Sequence, residues 1–257
     1  MHTRHIFAST LLSIALVAGV ACNRQPAVHP NLAVAAAANL TSMLEAAGPK
    51  FEADSGIHPV FSFGSTAQLA QQIEKEAPYD VFLAADASHA GDLEKKGLLV
   101  SGSRAIYAIG VLALWLPPNS PASAVTRVED LTGPTVKTIA IAKPELAPYG
   151  QAAVDALKAA GIWDQVQSKA VYSENIAQAR QFGSSGNADA VFTAYSLVIH
   201  DPGKVITVDE KLHSPIAQEL GILTSSKQQA EAKKFVAYFL TGAGKDVLRD
   251  FGYRLPK

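Results

Sequence analysis

The 257-residue chain has one cysteine, two tryptophans and two methionines, and only 7% of it is aromatic. A single cysteine cannot close an intrachain disulfide, and without a cysteine cluster a structural zinc or iron–sulfur centre is excluded. Neither sign of charge is in surplus: 22 Lys and Arg stand against 23 Asp and Glu, for a formal charge of -1. Nucleic-acid binding, which relies on a basic face, is therefore not expected. No internal repeat, low-complexity block or second membrane-type segment is visible. What the chain does have is 48% hydrophobic residues. That is enough for one large core or two medium ones, and it excludes a wholly disordered chain.

The one apolar run of note is at the start. Residues 6–21 carry no charge and follow a short segment whose only firm charge is Arg4. The run is short for a bilayer-spanning helix, which needs about 20 residues, and it suits a secretory signal peptide over residues 1–21. It ends in Ala18-Gly19-Val20-Ala21 directly before Cys22, the only cysteine. A small residue followed by cysteine resembles a bacterial lipobox, which implies lipid attachment at Cys22, with an ordinary cleavage site as the alternative. Residues 22–31, with two prolines and no periodicity, read as a tether. The mature chain is then exported, and loses Arg4 with the leader.

From Leu32 onward, short apolar runs alternate with amphipathic helical patterns, which predicts an α/β architecture of mostly parallel sheets flanked by helices. Strands are expected at 32–36, 60–63 and 81–83, with helices at 40–51, 67–76 and 88–96 between and after them. The run 105–116 reads as one long buried strand, stopped by Pro117-Pro118. A second set follows: strands at 138–141, 170–172, 190–193 and 205–208, with helices at 151–160 and 176–183. The apolar run 216–223 and helices at 227–240 and 243–251 close the chain. The expectation is two lobes: lobe I from 32–114 and 214–257, lobe II from 115–213, the last helices returning to lobe I.

The chemistry lies between strands and helices. Asn39 follows the first strand in the position of an N-cap, Gly64-Ser65-Thr66 the second, Ala147-Pro148-Tyr149-Gly150 opens a helix in lobe II, and Glu174-Asn175 precedes Ile176. Each helix start carries unpaired N–H groups and the positive end of a dipole, which favour an anion. In open α/β sheets these turns stand at the carboxyl ends of the strands, where ligands bind. Asn, Ser and Thr are also the usual N-caps. The pattern alone supports an anion or a small polar ligand between two lobes.

Five segments carry a more specific signal: LAVAAAANL at 32–40, FGSTAQLAQQI at 63–73, APYDVFLAAD at 77–86, AKPELAPYG at 142–150 and the closing FGY at 251–253. In this order they resemble the periplasmic molybdate-binding proteins of ABC transporters, over nearly the whole mature chain. The resemblance implies a type II periplasmic-binding-protein fold whose lobes close on one tetrahedral dianion, molybdate or tungstate, with hinge crossovers near 105–116 and 216–223. It implies an oxyanion held by Asn39, by Thr66 with Ser65 beside it, by Tyr149, and by the backbone N–H of Ile176. Where some members place a binding tyrosine, this chain has Ala194, and Tyr195 falls one residue late; Tyr195 is expected to pack, with Tyr149 supplying the phenol. Molybdenum would enter only as the oxyanion, with no direct metal ligand and no cofactor. The implied partner is an ABC permease, and the protein is expected to be a monomer.

A site made only of donors leaves the hydrogen of a protonated oxyanion without an acceptor, which penalises singly protonated phosphate. Two rivals remain. A binder of another oxyanion, such as sulfate or phosphate, differs in its donor set. A serine-type hydrolase lacks support: Gly64-Ser65-Thr66 does not fit the Gly-x-Ser-x-Gly frame. His58, His89, His200 and His213 are scattered, Asp86 reads as a helix cap and Asp80 as the start of a strand. The chain also has no Gly-x-x-x-x-Gly-Lys-Ser/Thr loop, so an enzyme is not expected.

Overall fold

A computed structural model describes residues 31–256. The expected signal peptide, Cys22 and the expected tether up to residue 30 lie outside the described residues. The chain forms two five-stranded sheets, each flanked by helices. β1 (Asn31–Ala37), α1 (Thr41–Ser55), β2 (His58–Gly64), α2 (Thr66–Glu74), β3 (Val81–Leu83), α3 (Ser88–Lys95) and β4 (Ala105–Gly110) build the first half of lobe I. Lobe II holds β5 (Leu112–Leu116), β6 (Ile139–Ala142), α4 (Pro148–Ala159), α5 (Trp163–Val166), β7 (Ala170–Ser173), α6 (Ile176–Ser184), β8 (Ala190–Ala194), α7 (Tyr195–Val198) and β9 (Lys204–Thr207). β10 (Ile216–Ile222), α8 (Gln229–Leu240) and α9 (Gly244–Asp250) return to lobe I.

The strand order is β2-β1-β3-β10-β4 in lobe I and β7-β6-β8-β5-β9 in lobe II. β1, β2 and β3 run parallel, as do β6, β7 and β8, while β10 and β5 are antiparallel to their neighbours. Buried on both faces, β1 reads as a continuous Ala and Val run, as a central parallel strand should. The C-terminal helices cover the first sheet: Phe235 and Tyr238 stack edge-on to Phe51 of α1, at 5.1 and 5.4 Å.

One boundary differs from the sequence reading. The expected single strand 105–116 is divided at Val111: β4 pairs with β10 in lobe I, whereas Leu112–Trp115 pairs with β8 in lobe II. The crossing therefore falls at Gly110–Leu112, and 112–114 belongs to lobe II rather than lobe I. Both sides of the crossing are apolar, so hydropathy cannot mark it. α4 also starts three residues before the expected 151, because Pro148 supplies a preset N1 residue.

Candidate anion site between the lobes

The four polar turns converge where the lobes close. Leaving β1, the chain passes through a short 3-10 turn, Ala38–Leu40, against which α6 of lobe II packs. Asn39 sits in that turn, 1% exposed, and caps nothing: the N-cap of α1 is Leu40, which offers no side-chain bond. The Asn39 side chain instead enters a buried network. Its Nδ2 donates to Gln218 Oε1 and to the Tyr253 hydroxyl, both at 2.9 Å. Tyr107 on β4 donates to the same Gln218 Oε1 at 2.9 Å. Gln218 Nε2 donates to the Tyr149 hydroxyl of lobe II, again at 2.9 Å. The Asn39 carbonyl accepts from Tyr253 at 2.8 Å and from Ser196 of lobe II at 2.9 Å.

The other predicted residues stand around this cluster. Ser65 is the N-cap of α2; its Oγ accepts from the Gln68 N–H at 3.4 Å. Thr66 Oγ1 accepts from the Ala85 N–H at 3.1 Å. Both hydroxyls are used as acceptors, so each keeps its hydrogen to donate. Ile176 opens α6 behind the Asn175 cap, whose Oδ1 accepts from the Gln178 N–H at 3.0 Å. As a first-turn residue its N–H has no intrahelical acceptor. The tip of α2 reaches lobe II directly, with the Ala67 N–H donating to the Leu146 carbonyl at 3.2 Å. Tyr195 packs: its ring lies where a side chain on Gly252 would have to go.

Four members of the network, Tyr107, Ser196, Gln218 and Tyr253, had no assigned role in the sequence reading. The available signals were Gln218-Glu219, a polar pair inside the apolar run 216–223, and Tyr253 in the closing FGY. Gly110, at the end of β4, makes the cluster possible. A Cβ there would stand 2.1 Å from the Tyr149 hydroxyl and 2.5 Å from Gln218 Nε2.

Residues 32–254 match the model of a family described as bacterial extracellular solute-binding protein. The chain belongs to that family. It is 38% identical over 255 residues to the molybdate-binding protein ModA of Azotobacter vinelandii, covering 97% of this chain and 99% of the relative. To ModA of Rhodobacter capsulatus it is 35% identical over 246 residues, with 94% of each covered. The solved Azotobacter vinelandii periplasmic molybdate-binding protein matches its fold with a TM-score of 0.83 and 31% identity, covering 88% of this chain and 100% of that one. The two-lobed α/β expectation is thereby met.

The electrostatics of this solute-binding protein are those of a neutral site. Burial pushes the phenols of Tyr107, Tyr149 and Tyr253 above the usual tyrosine range. For Tyr149 the neighbouring Tyr253 adds to that, and the Gln218 and Asn39 amides oppose it. All three remain protonated hydroxyls at physiological pH. The cation nearest the turns in the hydrogen-bond pattern is Lys143, which is partly exposed and paired with Glu174, the same carboxylate that accepts from Gln68 across the lobes at 3.2 Å. A cavity of about 270 Å³ also lies between the lobes, but it is lined by Asp86, Glu145 and Asp155 and by none of the predicted donors. Three carboxylates there would repel a dianion, although Ala147 and Pro148 of the third turn also line this cavity.

Asn39 brings one further feature. Its Oδ1 is buried and has no hydrogen-bond partner among the described residues. Turning the Asn39 and Gln218 amides together by 180° would keep their mutual bond, but it would set Oδ1 against the Tyr253 hydroxyl in place of Nδ2 and would take the Tyr149 hydrogen for Gln218 Oε1. It also puts the Asn39 NH₂ group where Oδ1 stands. One orientation offers an acceptor at that point, the other a donor.

Proposed function

We propose that this chain is an extracytoplasmic receptor that closes its two lobes on molybdate, binds tungstate in the same way, and delivers the oxyanion to an ABC-type permease. The observation that carries the reading is the convergence of uncharged hydroxyls, amides and helix N-termini from both lobes, in a chain whose full-length relatives are molybdate-binding proteins. The oxyanion is held by Thr66 and Ser65, by Tyr149, by the Ile176 N–H and by Asn39. No lysine or arginine is needed: fixed dipoles solvate a fully ionised dianion and offer nothing to the hydrogen of a protonated one. The receptor acts as a monomer without a cofactor, catalyses no reaction, and is held at the membrane face by a lipid on Cys22 after removal of residues 1–21. Calorimetric titration of the mature chain with molybdate, tungstate, sulfate and phosphate tests this. Molybdate and tungstate bind tightly and sulfate weakly; sulfate binding as tightly as molybdate overturns the assignment.

A further inference from the structure

We infer that the Lys143–Glu174 pair of lobe II and Gln68 of lobe I form a latch between the lobes that sets how fast the bound anion leaves. The inference rests on the molybdate reading above, since it concerns release from that site. Gln68 lies in the first turn of α2, where the Ser65 cap holds its N–H. Its Nε2 donates to Glu174 Oε2 at 3.2 Å. The other carboxylate oxygen accepts from Lys143 Nζ, just beyond β6. Glu174 itself stands just beyond β7, and its N–H donates to Gln178 Oε1 on α6 at 2.7 Å. The ion pair thus ties the turn after β6 to the turn after β7, and the tip of α2 bonds to both. The Ala67 N–H donates to the Leu146 carbonyl of the first turn, and the Gln68 side chain to Glu174 of the second.

Topology makes this contact sensitive to rotation of the lobes. The chain crosses between them at Gly110–Leu112 and again just before β10. In the sheet orders β2 stands three places from β10, and β7 three places from β5. At the usual strand spacing each is about 14 Å from its crossing strand. α2 follows β2 and Glu174 follows β7, so both partners ride on the sheet edges remote from the crossings, where a given rotation moves them most. The ion pair of Arg254 with Glu210 is placed differently: Arg254 exchanges two backbone bonds with Ile109, next to the crossing, and moves little. A partly exposed amide–carboxylate bond is weak enough to break at each release, yet its charge makes it stronger than a neutral contact. Gln68 and Glu174 each stand two residues from a proposed anion-holding residue, Thr66 and Ile176, so parting the latch draws those two turns apart.

The test loads the mature chain with radiolabelled molybdate, chases with an excess of unlabelled molybdate, and follows release. Gln68→Ala should speed release about two- to fivefold, the worth of one partly exposed bond to a charge, with the association rate within twofold of the parent. The melting temperature without ligand should not change, which separates a latch from a merely structural contact. In a Lys143→Met, Glu174→Ala background, which keeps the parent's net charge, Gln68→Ala should have no further effect. Exchanging the partners, Gln68→Glu with Glu174→Gln, again keeps one amide, one carboxylate and the net charge, and should bring release back to within twofold of the parent. Equal release from the parent and Gln68→Ala, or the same acceleration in both backgrounds, overturns the inference. If the Lys143→Met, Glu174→Ala background does not fold, the exchange decides alone: release as fast as in Gln68→Ala overturns the latch. A wild type that binds molybdate while these comparisons fail retires the latch alone; a wild type that does not bind molybdate retires both readings.

Discussion

Replacing Gly110 by alanine is the sharpest test of how the site is built, because the geometry dictates the damage. The new methyl would stand 2.1 Å from the Tyr149 hydroxyl, 2.8 Å from its Cζ and 2.5 Å from Gln218 Nε2, where ordinary contact begins at 3.4 Å. The phenol therefore has to retreat by about 1.3 Å, and it cannot do so while accepting from Gln218 at 2.9 Å. Overpacking of this kind costs about 1–3 kcal/mol, and the broken buried bond adds about 1 kcal/mol. In a protein of this size a total of about 2–4 kcal/mol lowers the melting temperature by roughly 5–15 °C. If Tyr149 donates to the anion as proposed, molybdate affinity should fall as well, by about 10–100-fold. Thermal unfolding without ligand and calorimetry with molybdate read the two effects separately. Adding Tyr149→Phe removes the closest atom and should restore part of the stability but none of the affinity. A Gly110→Ala protein with wild-type melting and wild-type affinity would falsify the placement of Tyr149 against the hinge.

Other substitutions and conditions test the rest of the site. Thr66→Val keeps the shape but removes the hydroxyl that accepts from the Ala85 N–H; molybdate affinity should drop about tenfold or more and stability by about 1–2 kcal/mol, by calorimetry and urea unfolding. Asn39→Ala strips the centre of the network, so it should destabilise the protein by about 2–4 kcal/mol besides weakening molybdate; a change in affinity alone contradicts the network. The phenols of the site sit above the usual tyrosine range, and no carboxylate or imidazole belongs to it, so molybdate affinity should be flat from about pH 7 to pH 9. His89 should govern a different pH dependence. Its hydrogen bond to Asp86 raises its folded pKa above 6.5, so the stabilisation is complete below about pH 6.5 and is lost as pH rises through the raised value. Urea midpoints should decline over that window, and Asp86→Asn should flatten the decline.

Much of the fold was legible because periodicity and turn chemistry are local. Strand and helix patterns alternated at the right spacing, and Ser65 and Asn175 mark helix starts by the same capping bonds the structure contains. The division at Val111 was not legible, since an apolar edge strand in one lobe and a buried strand in the next give one uninterrupted apolar run. The site was legible only where it coincides with those turns. Asn39 was placed there for its position after β1, yet the cap that position suggests does not form, because Gln218 and Tyr253 take its amide hydrogens. The partners that fix Asn39 and Tyr149 come from hinge strands and the C-terminus, 69 to 214 residues away in sequence. No local pattern encodes a bond of that span; the Gln218-Glu219 pair in an apolar strand and Tyr253 in the closing FGY are its traces in sequence.

The neutrality of the site also explains how a chain of formal charge -1 can hold a dianion. The first turns of α2, α4 and α6 stand at the contact between the lobes, two of these helices nine residues long and one twelve. Each contributes about half a positive charge at that end, so the three together supply roughly one and a half, close to what a dianion needs. That field comes from peptide groups, which neither titrate nor carry counterions, so it works equally at any pH where the fold survives. It is also shared: no single side chain holds the anion's charge, and removing one donor weakens binding by a factor without abolishing it. Discrimination must then come from which hydrogens face the ligand, not from how much charge does.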